Sequence, residues 1–285
     1  MIYGLGAALG WGLADVTAAV SGRRIGSLRT VVIAQLASLV VLGVVVAIFR
    51  PPMGASSTQI AILLVGGVLG AGAYLSLYKG LALGPVALVS PIVAAYAAIT
   101  IVLAVVFLHE RLTGLALLGT VLALVGVVLT ATDPRALRRG GSLLGGGGIP
   151  WGISAMLLFG VATFVLGRVS QDIGWAAPTV YSRIGDVAVI VLVGVVLRRR
   201  MRGRRLGAQD LTLAFFVGMT DILGVISYAR GAELGYISIV TAASVAFIVI
   251  PVVAGFVMFR ERPAPSQIAG IVVVAGGLVA LGMGS

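Results

Sequence analysis

Asp15 stands four residues after Trp11 inside an otherwise apolar run, so on a helix the two side chains project from one face. A charge at the centre of a membrane-spanning helix costs about 2.5–3.5 kcal/mol on insertion scales, which makes an ionisable residue there a functional candidate by default. An acid beside an aromatic ring can hold a proton or a cationic group; nearer the membrane surface the same carboxylate would instead pair with Arg23 or Arg24. Asp221 lies near the middle of another apolar run, has Tyr228 on the same face seven residues on, and has no partner close in sequence. Both acids are candidates for substrate binding and for coupling, with a proton as the first ion to expect. Lys79 and Arg230 each lie near the end of an apolar run. Together they could hold a carboxylate or phosphate, or each could snorkel to the headgroups, Arg230 with Glu233 as its i+3 partner. Tyr74 and Tyr78 share a face and put phenol hydroxyls beside Lys79, and Tyr96 follows Pro91 by a little over a turn. Arg183 and Asp186, three apart, read as a self-neutralising structural pair facing protein.

These residues sit in a chain of 285 residues that is 60% hydrophobic and only 10% charged, with a mean hydropathy of +1.16. A soluble domain would be closer to a quarter charged, so the chain reads as an integral membrane protein without room for a separate soluble catalytic domain. It has no cysteine and one histidine, His109, which argues against disulfides, thiolate chemistry and a His-based metal centre. The net charge of +11 comes mostly from arginines between apolar runs, where they meet lipid headgroups rather than nucleic acid. No glycine cluster is followed by Gly-Lys-Ser/Thr, so a nucleotide-binding loop is excluded, and no metal motif or serine with a base suggests an enzyme. No cofactor is expected.

The apolar runs fall at 2–20, 28–49, 59–82, 85–108, 114–132, 149–170, 176–197, 210–233, 236–259 and 265–283. Ten helices of roughly 20 residues follow; alternation suited to barrel strands is absent. The first run has no basic stretch ahead of it and is expected to be a mature helix rather than a leader. Internal similarity divides the chain. Ile25-Gly26 returns as Ile173-Gly174 and Arg50 as Arg198, at a shift of 148; Lys79-Gly80 returns as Arg230-Gly231, Gly84 as Gly235 and Glu110-Arg111 as Glu261-Arg262, at a shift of 151. The expected domains are a first repeat over 1–132, a Gly/Arg-rich connector over 133–148 that includes Asp133-Pro134-Arg135, and a second repeat over 149–285. Five spans per repeat is an odd number, so the second enters the membrane with opposite orientation. A 5+5 inverted-topology repeat around a central cavity is a recurrent plan of secondary transporters.

Pro85 suits the first turn of its helix, whereas Pro91 and Pro251 lie inside theirs and free backbone carbonyls, for kinking or for a ligand. Gly6 with Gly10, and Gly66 with Gly70, have the spacing of close helix packing. Trp151 and Trp175 read as interfacial anchors, His109 as a polar helix end, and Glu110 and Glu261 as structural anchors of their turns.

The segment from Lys79-Gly80 through Gly84-Pro85, Ser90-Pro91 and Tyr96 to His109-Glu110-Arg111-Leu112 resembles the fourth-span signature of the EamA family of the drug/metabolite transporter superfamily, and Leu234-Gly235-Tyr236 through Arg260-Glu261-Arg262-Pro263 is similar to it. His109 departs from the glycine often found there. The resemblance implies a basket-like bundle whose cavity is lined by the first, third, fourth, sixth, eighth and ninth spans, and transport of small metabolites, often outward. The expected substrate-binding set is Trp11, Asp15, Tyr74, Tyr78, Lys79, Tyr96, Asp221, Tyr228 and Arg230.

The expected function is export of a small polar metabolite, an amino acid or related amphipathic compound, by alternating access. The alternatives are an anion or organophosphate exchanger using Lys79 and Arg230, and a non-transporting membrane subunit. A bacterial inner membrane and a monomer or homodimer in lipid are expected. Fourteen arginines lie in the connections after the odd-numbered spans, against Arg50, Arg111 and Arg168 opposite. The positive-inside rule then puts both termini outside, while the resemblance implies the reverse.

Overall fold

The computed structural model describes residues 2–109, 113–131, 147–201 and 205–284. Its helices are α1 (Ile2–Ile25), α2 (Ser27–Phe49), α3 (Ser57–Leu83), α4 (Val86–Ala94), α5 (Tyr96–Leu108), α6 (Gly114–Ala131), α7 (Ile149–Ile173), α8 (Ala176–Val196), α9 (Ala208–Glu233), α10 (Ile237–Ser244), α11 (Val249–Val257) and α12 (Pro265–Gly284). Short 3-10 turns occupy Arg198–Met201 and Val245–Ile248. No strand occurs among the described residues.

Seven helical stretches, with Val86–Leu108 and Ile237–Val257 each taken whole, are long and apolar enough to cross a membrane. Leu117–Thr130 and Pro265–Ala280 are shorter apolar cores, and α1 has 24 residues but carries Asp15, Arg23 and Arg24. The chain is therefore an all-helical, multi-pass integral membrane protein. Large aliphatic side chains such as Leu9, Val44, Val65 and Leu192 stay on its outer surface, as lipid contact requires, because lipid tails are as apolar as leucine.

Two helix boundaries differ from the sequence expectation. The first helix continues past residue 20 to Ile25, because Arg23 and Arg24 in its last turn complement the negative end of the helix dipole. The fourth span is broken at Ala95, and its counterpart is interrupted by the 3-10 turn Val245–Ile248. Pro91, one turn ahead of the first break, removes the backbone donor that would bond to the carbonyl of Ala87.

The spacing of 148 and 151 residues reappears in the backbone. Gly26 and Gly174 both have positive φ, 92° and 87°, and so do His109 at 54° and Arg260 at 52°. Arg23 Nη2 donates to the Gly84 carbonyl at 2.9 Å, and Gln171 Nε2 to the Gly235 carbonyl at 3.2 Å. Gly67 faces the backbone of Ser182 and Asp186 on α8, while Gly218 faces that of Ala34 and Ser38 on α2. α1 crosses α9 where Gly10 meets Thr220 and Gly224, and Gly6 meets Ser227. α6 packs along α12, and α3 along α7 and α8.

Glu261 is an anchor of a wider kind than its own turn. Its carboxylate accepts from the backbone N–H groups of Val86 and Ala87, both at 2.8 Å, and from Arg23 at 3.1 Å. It thereby caps the free amides at the start of α4 from the far end of the sequence. Glu261→Ala is expected to lower stability by about 1–3 kcal/mol, measured as the melting temperature in detergent, with Glu261→Gln losing less because one acceptor remains. Glu110 and Arg111, most of the 133–148 connector, and Arg202 and Arg204 lie outside the described residues.

Candidate functional site

A cavity of about 880 Å³, mouth included, lies between α1, α3, the α4–α5 break, α7, α8 and α9. Its wall holds Trp11, Asp15, Tyr74, Tyr78, Tyr96 and Asp221 from the expected set. The spacing i, i+4 brings Asp15 and Trp11 into it together, as it does Tyr74 and Tyr78.

Arg183 is the buried centre of one side, 2% exposed. Its Nη2 contacts Asp221 Oδ2 at 3.1 Å, and Asp186 Oδ2 lies 3.7 Å from Nη1. Nη1 also donates to Gln35 Oε1, and Nη2 reaches the Tyr74 hydroxyl at 3.4 Å. Tyr74 donates to both oxygens of Asp221, at 2.9 and 3.1 Å, and its ring meets Phe159 edge to face at 5.0 Å. Arg183 and Asp186 are thus not a self-contained pair. The nearer carboxylate is Asp221 on another helix, and a guanidinium with five fixed donors can serve both acids at once.

Asp15 occupies a separate part of the wall. It is buried, and Ser90 Oγ donates to its Oδ2 at 2.9 Å. Arg23 and Arg24 turn away from it, to Glu261 and to Asp210, whose Oδ1 lies 2.6 Å from Arg24 Nε. Trp11 packs against Tyr96 and Phe247 edge-on, with centroids 6.2 and 6.4 Å apart, and against Tyr228 at 5.7 Å. Tyr96 shares a hydrogen bond with Ser244 at 2.9 Å across the two broken helices. Three wall or near-wall atoms, Tyr78 Oη, Asp186 Oδ1 and Gln35 Nε2, are buried without a hydrogen-bond partner among the described residues. Buried polar atoms are seldom left so, and such groups facing a cavity are ready for a ligand or water.

The remaining expected residues are elsewhere. Lys79 Nζ stacks 3.8 Å above the Trp151 ring, so Trp151 is engaged by a cation as well as lying near a helix end. Arg230 pairs with Glu233 at 2.5 Å, and Glu233 also accepts from the Trp175 amide at 3.1 Å. Neither cation is on the cavity wall, and the symmetric anion clamp is not assembled there. The physical reason is position: near a helix end each cation finds a ring or carboxylate without crossing the apolar interior. Tyr228 lies behind Trp11 and bonds Thr241 at 3.0 Å.

Gln35, Ser90, Phe159 and Phe247 are absent from the expected set, and Arg183 and Asp186 are expected there only as a local pair. One signal was available: Gln35 and Arg183 are 148 residues apart, equivalent in the two halves, and they touch. The side chains around the cavity can bind donors and relay a proton. Among the described residues, no cluster of three His, Cys, Asp or Glu could hold a metal.

Residues 1–132 match the model of the EamA-like transporter family. They are an EamA domain. The family is one of the drug/metabolite transporter superfamily, and the domain holds Trp11, Asp15, Tyr74, Tyr78 and Tyr96. Beyond the EamA domain the fold is still shared: a crystal structure of a protein 15% identical aligns with TM-score 0.66 over 98% of this chain and 94% of that one. In all, 28 chains of solved structure match. No curated protein matches the chain.

Proposed function

We propose that this EamA-domain protein is a secondary transporter that exports a small metabolite bearing an amino group and an apolar body, amino acids among them. The observation that carries the reading is the buried cavity with its acids and aromatic rings, enclosed by helices from both halves of the chain. Alternating access would come from rocking of two five-span repeats of opposite topology about the Gln35–Arg183 contact. The paired positive-φ positions and the matching breaks of the fourth and ninth spans support that plan. Coupling to a proton would fall to Asp15 or Asp221. Asp15 is the stronger candidate, since Tyr74 and Arg183 already engage Asp221. A bacterial plasma membrane, and a monomer or homodimer, complete the reading. With Lys79 and Arg230 off the cavity wall, the anion-exchanger alternative has less support than the amine reading.

Counterflow of radiolabelled pools of amino acids, nucleosides and sugar phosphates in proteoliposomes tests this, with and without a pH gradient. Accumulation of an amine-bearing pool is expected, with Asp15→Asn abolishing any response to the gradient. No substrate-dependent flux from folded protein would leave a non-transporting membrane subunit as the better reading. Lys79→Gln and Arg230→Gln are expected to leave uptake within about twofold of the parent, because their neutral forms disturb only surface pairs; a collapse of sugar-phosphate flux in either would restore the anion exchanger.

A further inference from the structure

The cavity's hydrogen-bonding balance restricts what its ligand can be. Three carboxylates line it, those of Asp15, Asp186 and Asp221, against one guanidinium, that of Arg183. Both terminal nitrogens of Arg183 are engaged, by Asp221 at 3.1 Å, Asp186 at 3.7 Å, the Gln35 carbonyl and the Tyr74 hydroxyl. A substrate carboxylate or phosphate arriving there would have to displace an acid already in place, leaving that acid buried beside another. Asp15 is different. Ser90 holds its Oδ2, and no other hydrogen bond to the carboxylate is found among the described residues. Tyr78 Oη is buried without a partner among the described residues and lines the same wall. The Trp11 and Tyr96 rings adjoin them, edge to face at 6.2 Å.

What this corner lacks is a hydrogen-bond donor with positive charge. An ammonium supplies three N–H donors and no acceptor, is attracted to an indole or phenol face, and forms a charge-assisted bond with a carboxylate. Resting on the transporter reading above, we propose that the recognised class is primary organic amines with a flat apolar body, the ammonium on Asp15 with Tyr78 and the body on Trp11 and Tyr96, and that a substrate carboxylate is not recognised. Amino acids then enter through their amino group alone, and removal of the carboxylate improves them.

The test holds the body constant and varies the head group: phenethylamine, phenylalanine and 3-phenylpropionate, compared by counterflow in proteoliposomes of the wild-type chain. Phenethylamine is expected to lead phenylalanine by at least about tenfold, since a buried carboxylate without a free cation is strongly disfavoured, and 3-phenylpropionate is expected not to move. Asp15→Asn should reduce the amine signal by at least about tenfold, as loss of a charged hydrogen-bond partner does, and Asp15→Glu should recover part of it. Phenylalanine equal to or ahead of phenethylamine, or movement of 3-phenylpropionate, overturns the proposal while leaving transport standing. An unchanged amine signal in Asp15→Asn, with a wild-type melting temperature, overturns the assignment to Asp15. If nothing counterflows, the melting temperature of purified protein is measured with each compound. Stabilisation by phenethylamine alone keeps the head-group assignment while the transport reading falls; no stabilisation by any of the three overturns both.

Discussion

Arg183→Met is expected to cost the fold about 3–5 kcal/mol, because removing one partner of a buried ionic cluster leaves the others uncompensated. Two acids, Asp221 and Asp186, depend on this guanidinium at 3.1 and 3.7 Å, and it is 2% exposed. Asp221→Asn should cost less, about 1–3 kcal/mol, because Arg183 would retain Asp186 and Gln35, and the new amide could still accept from Tyr74. The order of the two losses is the informative quantity. A self-neutralising Arg183–Asp186 pair would make Asp186→Asn the more harmful acid substitution and Asp221→Asn nearly silent. Thermal unfolding of the three purified variants in one detergent distinguishes these cases. If Arg183→Met proves no worse than Asp221→Asn, Arg183 is not the shared centre of the cluster.

The residues that sequence reasoning brought to this cavity were legible for one reason: charges and phenols inside long apolar runs are expensive and therefore few. Asp15 with Trp11, and Tyr74 with Tyr78, also carried their helical spacing with them, so each pair arrives on the wall together. Pairing between helices was not legible. Arg183 has Asp186 three residues on, and nothing in the local sequence signals that Asp221, a helix away, lies nearer. Lys79 and Arg230 lie off the cavity wall for a complementary reason. Their equivalence in the two halves is real in the sequence, but a helix-end cation can turn outward, and Trp151 and Glu233 give each a partner there. The aromatic wall from Phe159 and Phe247 was invisible, since a phenylalanine in an apolar span has no feature to separate a cavity position from a lipid-facing one.

The repeat itself carries more structural information than any single motif. A spacing of 148 aligns Gln35 with Arg183, Ser38 with Asp186 and Asp15 with Thr163, and 151 aligns Gly70 with Asp221 and Tyr74 with Val225. These pairings match in position but not in chemistry. At these positions the second half supplies the guanidinium and two acids of the cluster, and the first supplies an amide, a serine, a glycine, a phenol and, outside the cluster, the acid Asp15. Gly70 shows why: an ideal Cβ there would lie 2.3 Å from Asp186 Oδ1, so the acid on α8 occupies the space that any side chain on α3 would need. Unlike residues at the matched positions are what let Asp186 and Asp221 share the single guanidinium of Arg183.

Gly218→Ala and Gly67→Ala are expected to be among the most damaging single-methyl changes in the fold. A Cβ at Gly218 would lie 2.0 Å from the Ala34 carbonyl oxygen and 3.0 Å from the Ser38 nitrogen; at Gly67 it would lie 2.4 Å from the Ser182 oxygen and 2.9 Å from the Asp186 nitrogen. In both cases the obstacle is backbone, which no rotamer change relieves, so a whole helix must move away. Overpacking of this kind costs about 1–3 kcal/mol or more. The gain from alanine's higher helix propensity, at most about 1 kcal/mol, does not offset it. Gly43→Ala is the control: it is a helical glycine with nothing within 4 Å of its Cβ position, and the same substitution there should be neutral or mildly stabilising. The movement also has a functional consequence, because the Gly67 contact falls on Ser182 and Asp186 of α8, beside Arg183. Gly67→Ala should therefore lower the melting temperature and weaken ligand binding together, and Gly218→Ala should do the same, because it parts α9, which carries Asp221 three residues on, from α2, which carries Gln35. Equal melting temperatures for Gly67→Ala, Gly218→Ala and Gly43→Ala would show that these helices are not in backbone contact at the two glycines, and the repeated crossing inferred from them would fall.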